Sequence, residues 1–165
     1  ARHISVSTCG IVPKIRQLAN EKLQINLAIS LHAPNNEIRN KIMKINHAYD
    51  MDLLKEALVE YCQKTNRRLT FEYILLNGIN DSSEHASQLA KWLEGTNSYV
   101  NLIPYNSVDE SSYRRSEEKN INNFYNLLKK YKINVTIRRE FGKDIEAACG
   151  QLRAKSEVRK HENNC

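Results

Sequence analysis

The chain has 165 residues, of which 41% are hydrophobic and 27% charged, as expected for one soluble globular domain. No apolar run reaches the roughly 20 residues of a membrane-spanning helix and no signal peptide opens the sequence, so a cytoplasmic protein without a membrane partner is predicted. The net charge of +6 and the paired arginines and lysines favour a polyanionic partner such as RNA.

Short apolar runs alternate with amphipathic segments along the chain. Strands are predicted at residues 3–7, 25–32, 68–76, 99–105 and 133–139. Helices are predicted at residues 13–20, from Asp50 onward, from Asp81 to about Gly95, and from Ser116 onward. The stretch "NNEIRNKIM" is a further candidate helix, and Asp81 with Glu84 resembles a capping box.

Five strands separated by helical segments predict right-handed βαβ units and a parallel sheet. An open sheet and part of a (β/α) barrel both fit this pattern. In either case chemistry gathers at the carboxyl ends of the strands. The residues predicted at those ends are Ser7 and Thr8, Ser30 to His32, Asn106, and Arg138 with Arg139. Their hydroxyl, imidazole and amide groups suit hydrogen bonds to a ribose, an amino acid or a nucleobase.

Several catalytic classes are excluded by what the sequence lacks. It has no phosphate-binding glycine loop, no G-x-S-x-G elbow and no pair of carboxylates at strand ends. The four cysteines, Cys9, Cys62, Cys149 and Cys165, form no C-x-x-C, which predicts a reducing compartment and no metal site.

The first strand pattern begins within three residues of the start, which predicts a section of a larger fold.

Two residues have both a structural and a functional interpretation on chemistry alone. Cys149 sits between Ala148 and Gly150, where a thiol is either a small packed side chain or a reactive group. His32 closes an apolar strand, where an imidazole either satisfies local hydrogen bonds or contacts a ligand.

Five stretches of the sequence resemble a known family. They are "VSTCGIVPKIRQLA", "LAISLHAPNNEIRNKIMKIN", "FEYILLNGINDSSEHASQLA", "VNLIPYN" and "DIEAACGQLR". They occur in the order seen in the radical-SAM adenine methyltransferases of RNA, which comprise the RlmN and Cfr proteins. The similarity runs from about Arg2 to Arg153 and covers only the C-terminal part of that family.

This resemblance implies an α/β fold, the parallel-stranded part of a (β/α)6-type partial TIM barrel truncated on its N-terminal side. That section would occupy residues 1–153, followed by a basic, polar and disordered tail at 154–165. The resemblance also implies that S-adenosylmethionine is bound by Ser7 of "VST", by Ser30, Leu31 and His32 of "SLH", and by Asn106 of "LIPYN".

For Cys149 the resemblance implies a catalytic role. In the family this cysteine is methylated by one S-adenosylmethionine, and an adenosyl radical from a second then abstracts hydrogen from the methyl group. The resulting carbon radical adds to an adenine ring carbon. The family holds a [4Fe–4S] cluster on a C-x-x-x-C-x-x-C loop that is absent from this sequence. The chain by itself is therefore expected to be inactive.

The function implied by the resemblance is methylation of C2 of an adenine in 23S rRNA, and of tRNA, by a monomer that uses an electron donor such as flavodoxin. One alternative is a Cfr-type enzyme that methylates C8 of an adenine in 23S rRNA. Another is a catalytically inactive fragment that binds RNA through its arginine pairs.

Overall fold

The computed structural model describes residues 4–21, 23–106 and 111–138. Cys149, Arg139 and the tail at 154–165 lie outside these residues, so the role of Cys149 and the domain division remain predictions. The strands are β1 (Ile4–Thr8), β2 (Ile25–Ser30), β3 (Leu69–Leu75), β4 (Ser98–Pro104) and β5 (Asn134–Ile137). The α-helices are α1 (Val12–Ala19), α2 (Asn36–Ile42), α3 (Met51–Thr65), α4 (Ser83–Leu93) and α5 (Glu118–Lys130), with a 3-10 turn at Lys44–His47.

The five strands form one parallel sheet in the order β1-β2-β3-β4-β5, which confirms the predicted parallel sheet. A doubly wound sheet needs a point where the strand order reverses, and this order has none among the described strands. Right-handed connections between strands in unbroken order carry every helix to the same face. The order therefore selects a segment of a (β/α) barrel over an open doubly wound sheet.

One face of the sheet packs against the helices and forms the core. Alternate strand residues on this face are buried, among them Ile29, Phe71 and Leu102. They meet apolar side chains of the helices, such as Leu58 and Phe124, in one continuous cluster. Burial of each such side chain stabilises the fold by about 1.5–3 kcal/mol, so this layer fixes which face of each strand turns away from the helices.

The other face of the sheet carries polar side chains, and the described helices leave it uncovered. The register aligns Ser30 with Glu72, Glu72 with Asn101, and Asn101 with Thr136. These four side chains are half-buried or exposed, whereas their neighbours along each strand are mostly buried. We call this surface the open face. In a barrel the corresponding surface lines the interior, where ligands bind at the carboxyl ends of the strands.

The start of α4 differs from its prediction. The capping box is formed by Ser82, whose Oγ accepts from His85 N at 3.2 Å while His85 Nδ1 accepts from Ser82 N at 3.3 Å. Asp81 does not cap the helix, because its Oδ1 accepts the N–H of Gly78 within the preceding turn. The cap therefore falls one residue later than the Asp81–Glu84 pattern predicts.

Among the helices that the structure describes, none has the length and apolar content needed to cross a bilayer.

Candidate functional site

Ser7 and Ser30 lie on adjacent strands of the open face, at its carboxyl edge. Ser7 is aligned with Ala28, two residues before Ser30 on the same side of β2. Ser7 is exposed and Ser30 is half-buried. Ser7 and Ser30 therefore both lie at the carboxyl edge of the sheet, where the strand pattern predicts them.

His32 follows Ser30 in a left-handed backbone conformation, with φ 59°. A non-glycine residue rarely adopts this conformation unless its surroundings hold it there. Here the N–H groups of Leu31 and His32 both donate to the carbonyl oxygen of Glu72, at 3.1 and 3.3 Å. The chain thus turns sharply at the end of β2 and brings the imidazole back over β3.

The imidazole of His32 is held in one tautomer by β3. Its Nδ1 accepts a hydrogen bond from Ile74 N at 3.1 Å. Burial, and then the positive charge of Arg39, lower the pKa of His32 to about 4. The ring is consequently neutral at physiological pH and carries its proton on Nε2. Within the described part of the chain this Nε2–H has no acceptor, which leaves it available to a ligand.

Leu31 positions its neighbours and offers no free polar group to a ligand. Its side chain is fully buried in the core. Its N–H donates to Glu72, and its carbonyl oxygen accepts from Arg39 Nε at 3.3 Å. Leu31 therefore anchors the segment on which Ser30 and His32 are presented.

Arg39, on α2, joins the ends of β1 and β2 through hydrogen bonds to their main-chain carbonyls. Its guanidinium is fully buried and donates to the carbonyl of Cys9 at 2.7 Å and to Asn46 Oδ1 at 2.9 Å, in addition to its bond to Leu31. No carboxylate pairs with it among the described residues. Burial lowers the pKa of Arg39, yet four acceptors, the carbonyl of Ser30 at 3.5 Å among them, replace its lost hydration.

Gly10 makes room for this arginine. A Cβ at Gly10 would lie 3.3 Å from Arg39 Nη2 and 3.2 Å from a methyl carbon of Leu54. The φ of Gly10 is +103°, a conformation that side chains disfavour. The glycine in "TCG" is therefore required both by the backbone path and by the guanidinium beside it.

Asn80 joins the ends of β2 and β3. Its Nδ2 donates to the carbonyls of His32 at 2.8 Å and Ile74 at 2.7 Å, and its Oδ1 accepts from Leu76 N at 2.8 Å. All the hydrogen-bonding positions on its donor nitrogen are thus used inside the protein. Asn80 therefore holds the main chain of His32 in a fixed position relative to the end of β3.

Asn106 lies on the same edge of the sheet but is separated from His32 by β3. It follows the end of β4 at Pro104 by two residues and is exposed. The structure therefore places Ser7, Ser30 and His32 at the ends of the neighbouring strands β1 and β2, and Asn106 at the end of β4 on the other side of β3.

Three contributors to this site were missed by sequence reasoning: Arg39, Asn80 and Glu72. Arg39 was part of a candidate helix without a role, although an arginine beside Ile38 on the apolar side of a short helix is a signal of a buried charge. Asn80 precedes the predicted start of a helix at Asp81, and its residue type alone gives no sign that it joins two strands. Glu72 was not distinguished from the other residues of an apolar strand.

The described residues do not fit an iron–sulfur cluster. No group of three or more His, Cys, Asp or Glu side chains among them could hold a metal ion. Cys9 and Cys62 are unpaired, and burial raises the pKa of the Cys62 thiol, which disfavours the thiolate that a metal requires.

Comparison with known proteins gives strong matches that cover part of each relative. The chain is 60% identical over 157 residues to the "Probable dual-specificity RNA methyltransferase RlmN" of Spiroplasma citri, covering 95% of this chain and 45% of that protein. It is 58% identical over 158 residues to the protein of the same name from Enterococcus faecalis, covering 94% and 44%. No family model matches the chain. The chain thus spans under half the length of these curated relatives.

Two solved structures are similar to the fold. A radical SAM methyltransferase from Sphaerobacter thermophilus superposes with a TM-score of 0.86 at 44% identity, covering 90% of this chain and 43% of that one. A domain of the pyruvate-formate lyase-activating enzyme from Bacteroides vulgatus gives a TM-score of 0.61 at 14% identity over 83% of this chain and 81% of that one, which is a likeness of fold alone. The resemblance to RlmN and the partial radical-SAM barrel predicted from it are confirmed.

Proposed function

We propose that this chain is the S-adenosylmethionine-binding section of a radical-SAM methyltransferase that acts on RNA. The observation that carries the proposal is the edge formed by Ser7, Ser30 and the neutral His32, in a chain 60% identical to a protein named RlmN. The resemblance to a radical SAM methyltransferase of known structure supports the same cofactor.

The groups on this edge complement S-adenosylmethionine chemically. The hydroxyls of Ser7 and Ser30 and the amide of Asn106 offer both donors and acceptors to a ribose, an adenine edge or a carboxylate. The Nε2–H of His32 offers one further donor. A neutral imidazole also avoids repelling the positive sulfonium, so the lowered pKa of His32 suits this ligand. Leu31 holds the loop in place.

The radical step is proposed from the resemblance alone. A [4Fe–4S] cluster supplies the electron for reductive cleavage of S-adenosylmethionine in such enzymes, with a donor such as flavodoxin. Because the described residues do not fit a cluster, none of them is assigned to that step. Cys149, outside the described residues, is proposed as the cysteine that carries the methyl group to the adenine.

The charge distribution supports RNA as the substrate on the same edge. Arg138 follows β5 at its carboxyl end and is exposed. Arg114 is exposed as well, and its carbonyl oxygen accepts from Asn77 N, just beyond the end of β3. By contrast, Lys129 and Lys130 end α5 at the opposite edge, before β5 begins. Two exposed cations therefore lie where a phosphate backbone would approach the bound cofactor.

We propose 23S rRNA and tRNA as the substrates and C2 of adenine as the methylated atom, because the similar proteins are named RlmN and dual-specificity. The test is mass spectrometry of nucleosides from the source organism with the gene intact and deleted. Loss of 2-methyladenosine from both RNAs on deletion is expected. Loss of 8-methyladenosine instead would support the Cfr-type alternative, and unchanged methyladenosines would overturn the proposal.

Cofactor binding is tested separately with the 165-residue chain. Calorimetric titration of S-adenosylmethionine into the wild-type chain should show saturable binding, and Ser30→Ala and His32→Ala should each weaken it about tenfold, or about 1.4 kcal/mol. Ser87→Ala on α4, whose hydroxyl contacts Tyr131 at the end of α5 rather than the open face, is the matched control and should leave affinity unchanged. Equal affinity in all four proteins would contradict this placement of the cofactor.

A further inference from the structure

We propose that Glu72 is a further ligand-binding residue of the open face, whose carboxylate accepts hydrogen bonds from the ribose hydroxyls of S-adenosylmethionine. This inference rests on the proposed function and adds a residue that determines specificity for the sugar.

The position of Glu72 places it beside the proposed cofactor edge. It lies in the middle of β3, is aligned with Ser30 of β2, and is only half-buried on the face that the helices do not cover. Its carbonyl oxygen also receives the N–H groups of Leu31 and His32. The backbone of Glu72 thus holds Leu31 and His32 in place, while its side chain lies on the open face beside them.

A row of hydrogen bonds across three strands orients the carboxylate. Tyr99 OH donates to Thr136 Oγ1 at 2.6 Å, Thr136 Oγ1 donates to Asn101 Oδ1 at 3.4 Å, and Asn101 Nδ2 donates to Glu72 Oε2 at 2.9 Å. Every bond in this row points the same way and ends on the carboxylate. Such a row polarises its members in one direction and fixes the acceptor at its end.

The row leaves one oxygen of Glu72 unused. Among the described residues, Oε1 has no hydrogen-bond donor, and no lysine, arginine or histidine lies within ion-pair distance of the carboxylate. Because Glu72 is only half-buried, this oxygen is open to water or to a donor on a ligand. The geometry therefore leaves an oriented acceptor on an otherwise uncovered surface.

A vicinal diol is the group that fits this acceptor. A carboxylate is an acceptor only and can take both hydroxyls of a ribose, as acidic residues do in dinucleotide-binding folds. Ser30, in the same row of the sheet, adds a hydroxyl that can donate or accept on the neighbouring side. The ammonium group of the methionine moiety could also donate to this carboxylate. If it did, removing a ribose hydroxyl would not change the contribution of Glu72 to binding.

The experiment compares ligands that differ only in the ribose. Dissociation constants are measured by calorimetry on the 165-residue chain for S-adenosylhomocysteine and for its 2′-deoxy and 3′-deoxy analogues. The wild-type chain should prefer the complete ribose by about tenfold over at least one analogue, the equivalent of about 1.4 kcal/mol. Glu72→Gln should bind S-adenosylhomocysteine about tenfold more weakly and should lose that preference.

The control is Glu60→Gln on α3, which keeps the same chemical change on an exposed helix surface that pairs with Lys64. Thermal unfolding of each variant verifies that it is folded, and Glu72→Asp provides a second variant that retains the charge but withdraws it from the sugar. An equal loss for all three ligands would assign Glu72 to the ammonium group and overturn the inference.

Two outcomes with the wild-type chain distinguish a failure of the role proposed for Glu72 from a failure of the proposed S-adenosylmethionine site. Binding without any preference for the complete ribose would overturn the role of Glu72 and leave the cofactor site standing. A complete absence of binding would overturn both, independently of whether any variant folds.

Discussion

Replacing Arg39 by methionine is the most informative perturbation of the site. The substitution keeps an unbranched side chain of similar length but removes the charge and every donor. Four acceptors lose this donor: the carbonyls of Cys9, Ser30 and Leu31 and the amide oxygen of Asn46. The three carbonyls lie at or just beyond the ends of β1 and β2, and Asn46 lies in the 3-10 turn, so the loss falls directly on the segment that presents Ser30 and His32.

The magnitude follows from these bonds. A hydrogen bond to a charged group contributes about 1.5–3 kcal/mol, and the two shorter bonds, at 2.7 and 2.9 Å, together account for about 4 kcal/mol. The removal of a buried charge offsets part of this loss. The expected net fall in the free energy of unfolding is about 3 kcal/mol, which leaves a domain of ordinary stability folded.

The assay is urea denaturation followed by circular dichroism, with Arg16→Met as the matched control. Arg16 is exposed and pairs with Glu60 at 3.2 Å, so its loss should cost less than about 1 kcal/mol. A fall for Arg39→Met no larger than that of the control would refute the idea that this guanidinium holds the strand ends together.

A spectroscopic readout distinguishes the charge of Arg39 from its hydrogen bonds. In Arg39→Met the pKa of His32, followed by NMR, should rise from about 4, yet remain below its usual value because burial is the larger cause. Arg39→Lys retains the charge and should keep the pKa of His32 low while still losing stability. An unchanged His32 pKa in Arg39→Met would refute the electrostatic coupling.

Three further predictions concern the same edge. Because the folded-state pKa of His32 is depressed from 6.5 to about 4, stability should be fully present above pH 6.5 and fall by up to about 3 kcal/mol as the pH drops to 4, and urea titrations of His32→Gln should lose this dependence. Asn80→Ala should cost about 3 kcal/mol in the same titrations, because three buried hydrogen bonds are lost, and a cost below 1 kcal/mol would contradict its bridging role. Arg114→Glu combined with Arg138→Glu should weaken binding of a 23S rRNA fragment and flatten its salt dependence in filter-binding assays, whereas Lys129→Glu combined with Lys130→Glu at the opposite edge should change it little. Equal effects of the two sets of charge reversals would show that the cations of this edge have no special part in RNA binding.

The strands and their direction could be predicted from the sequence because strands buried in a parallel sheet consist mostly of apolar residues. The run at 25–32 is nearly all apolar, and the structure shows β2 over Ile25–Ser30 in a parallel sheet with helices on one face. The choice between an open sheet and a barrel segment could not be made from periodicity, since it depends on strand order. Strand order is decided by packing between distant segments rather than by any local pattern.

The site was predicted in part for a similar reason. Ser7, Ser30 and His32 were placed at strand ends by the strand pattern and identified as cofactor contacts by resemblance. Their placement at one edge is seen, whereas the contacts themselves remain proposals. Arg39 and Asn80 act through hydrogen bonds to main-chain carbonyls far along the sequence, and no local pattern of residues encodes those partners. The predicted cap at Asp81 failed because the same carboxylate was needed in the preceding turn.

The central claim, that the carboxyl edge around Ser30 and His32 binds S-adenosylmethionine, is tested most directly by NMR. Amide chemical shifts of the isotope-labelled 165-residue chain are followed as S-adenosylmethionine is added. The account predicts saturable shifts that are largest at Ser7, Ser30 and His32 and negligible at Gln63 on the outer surface of α3. Saturable shifts confined to other surfaces, or none at a millimolar concentration of the ligand, would contradict it.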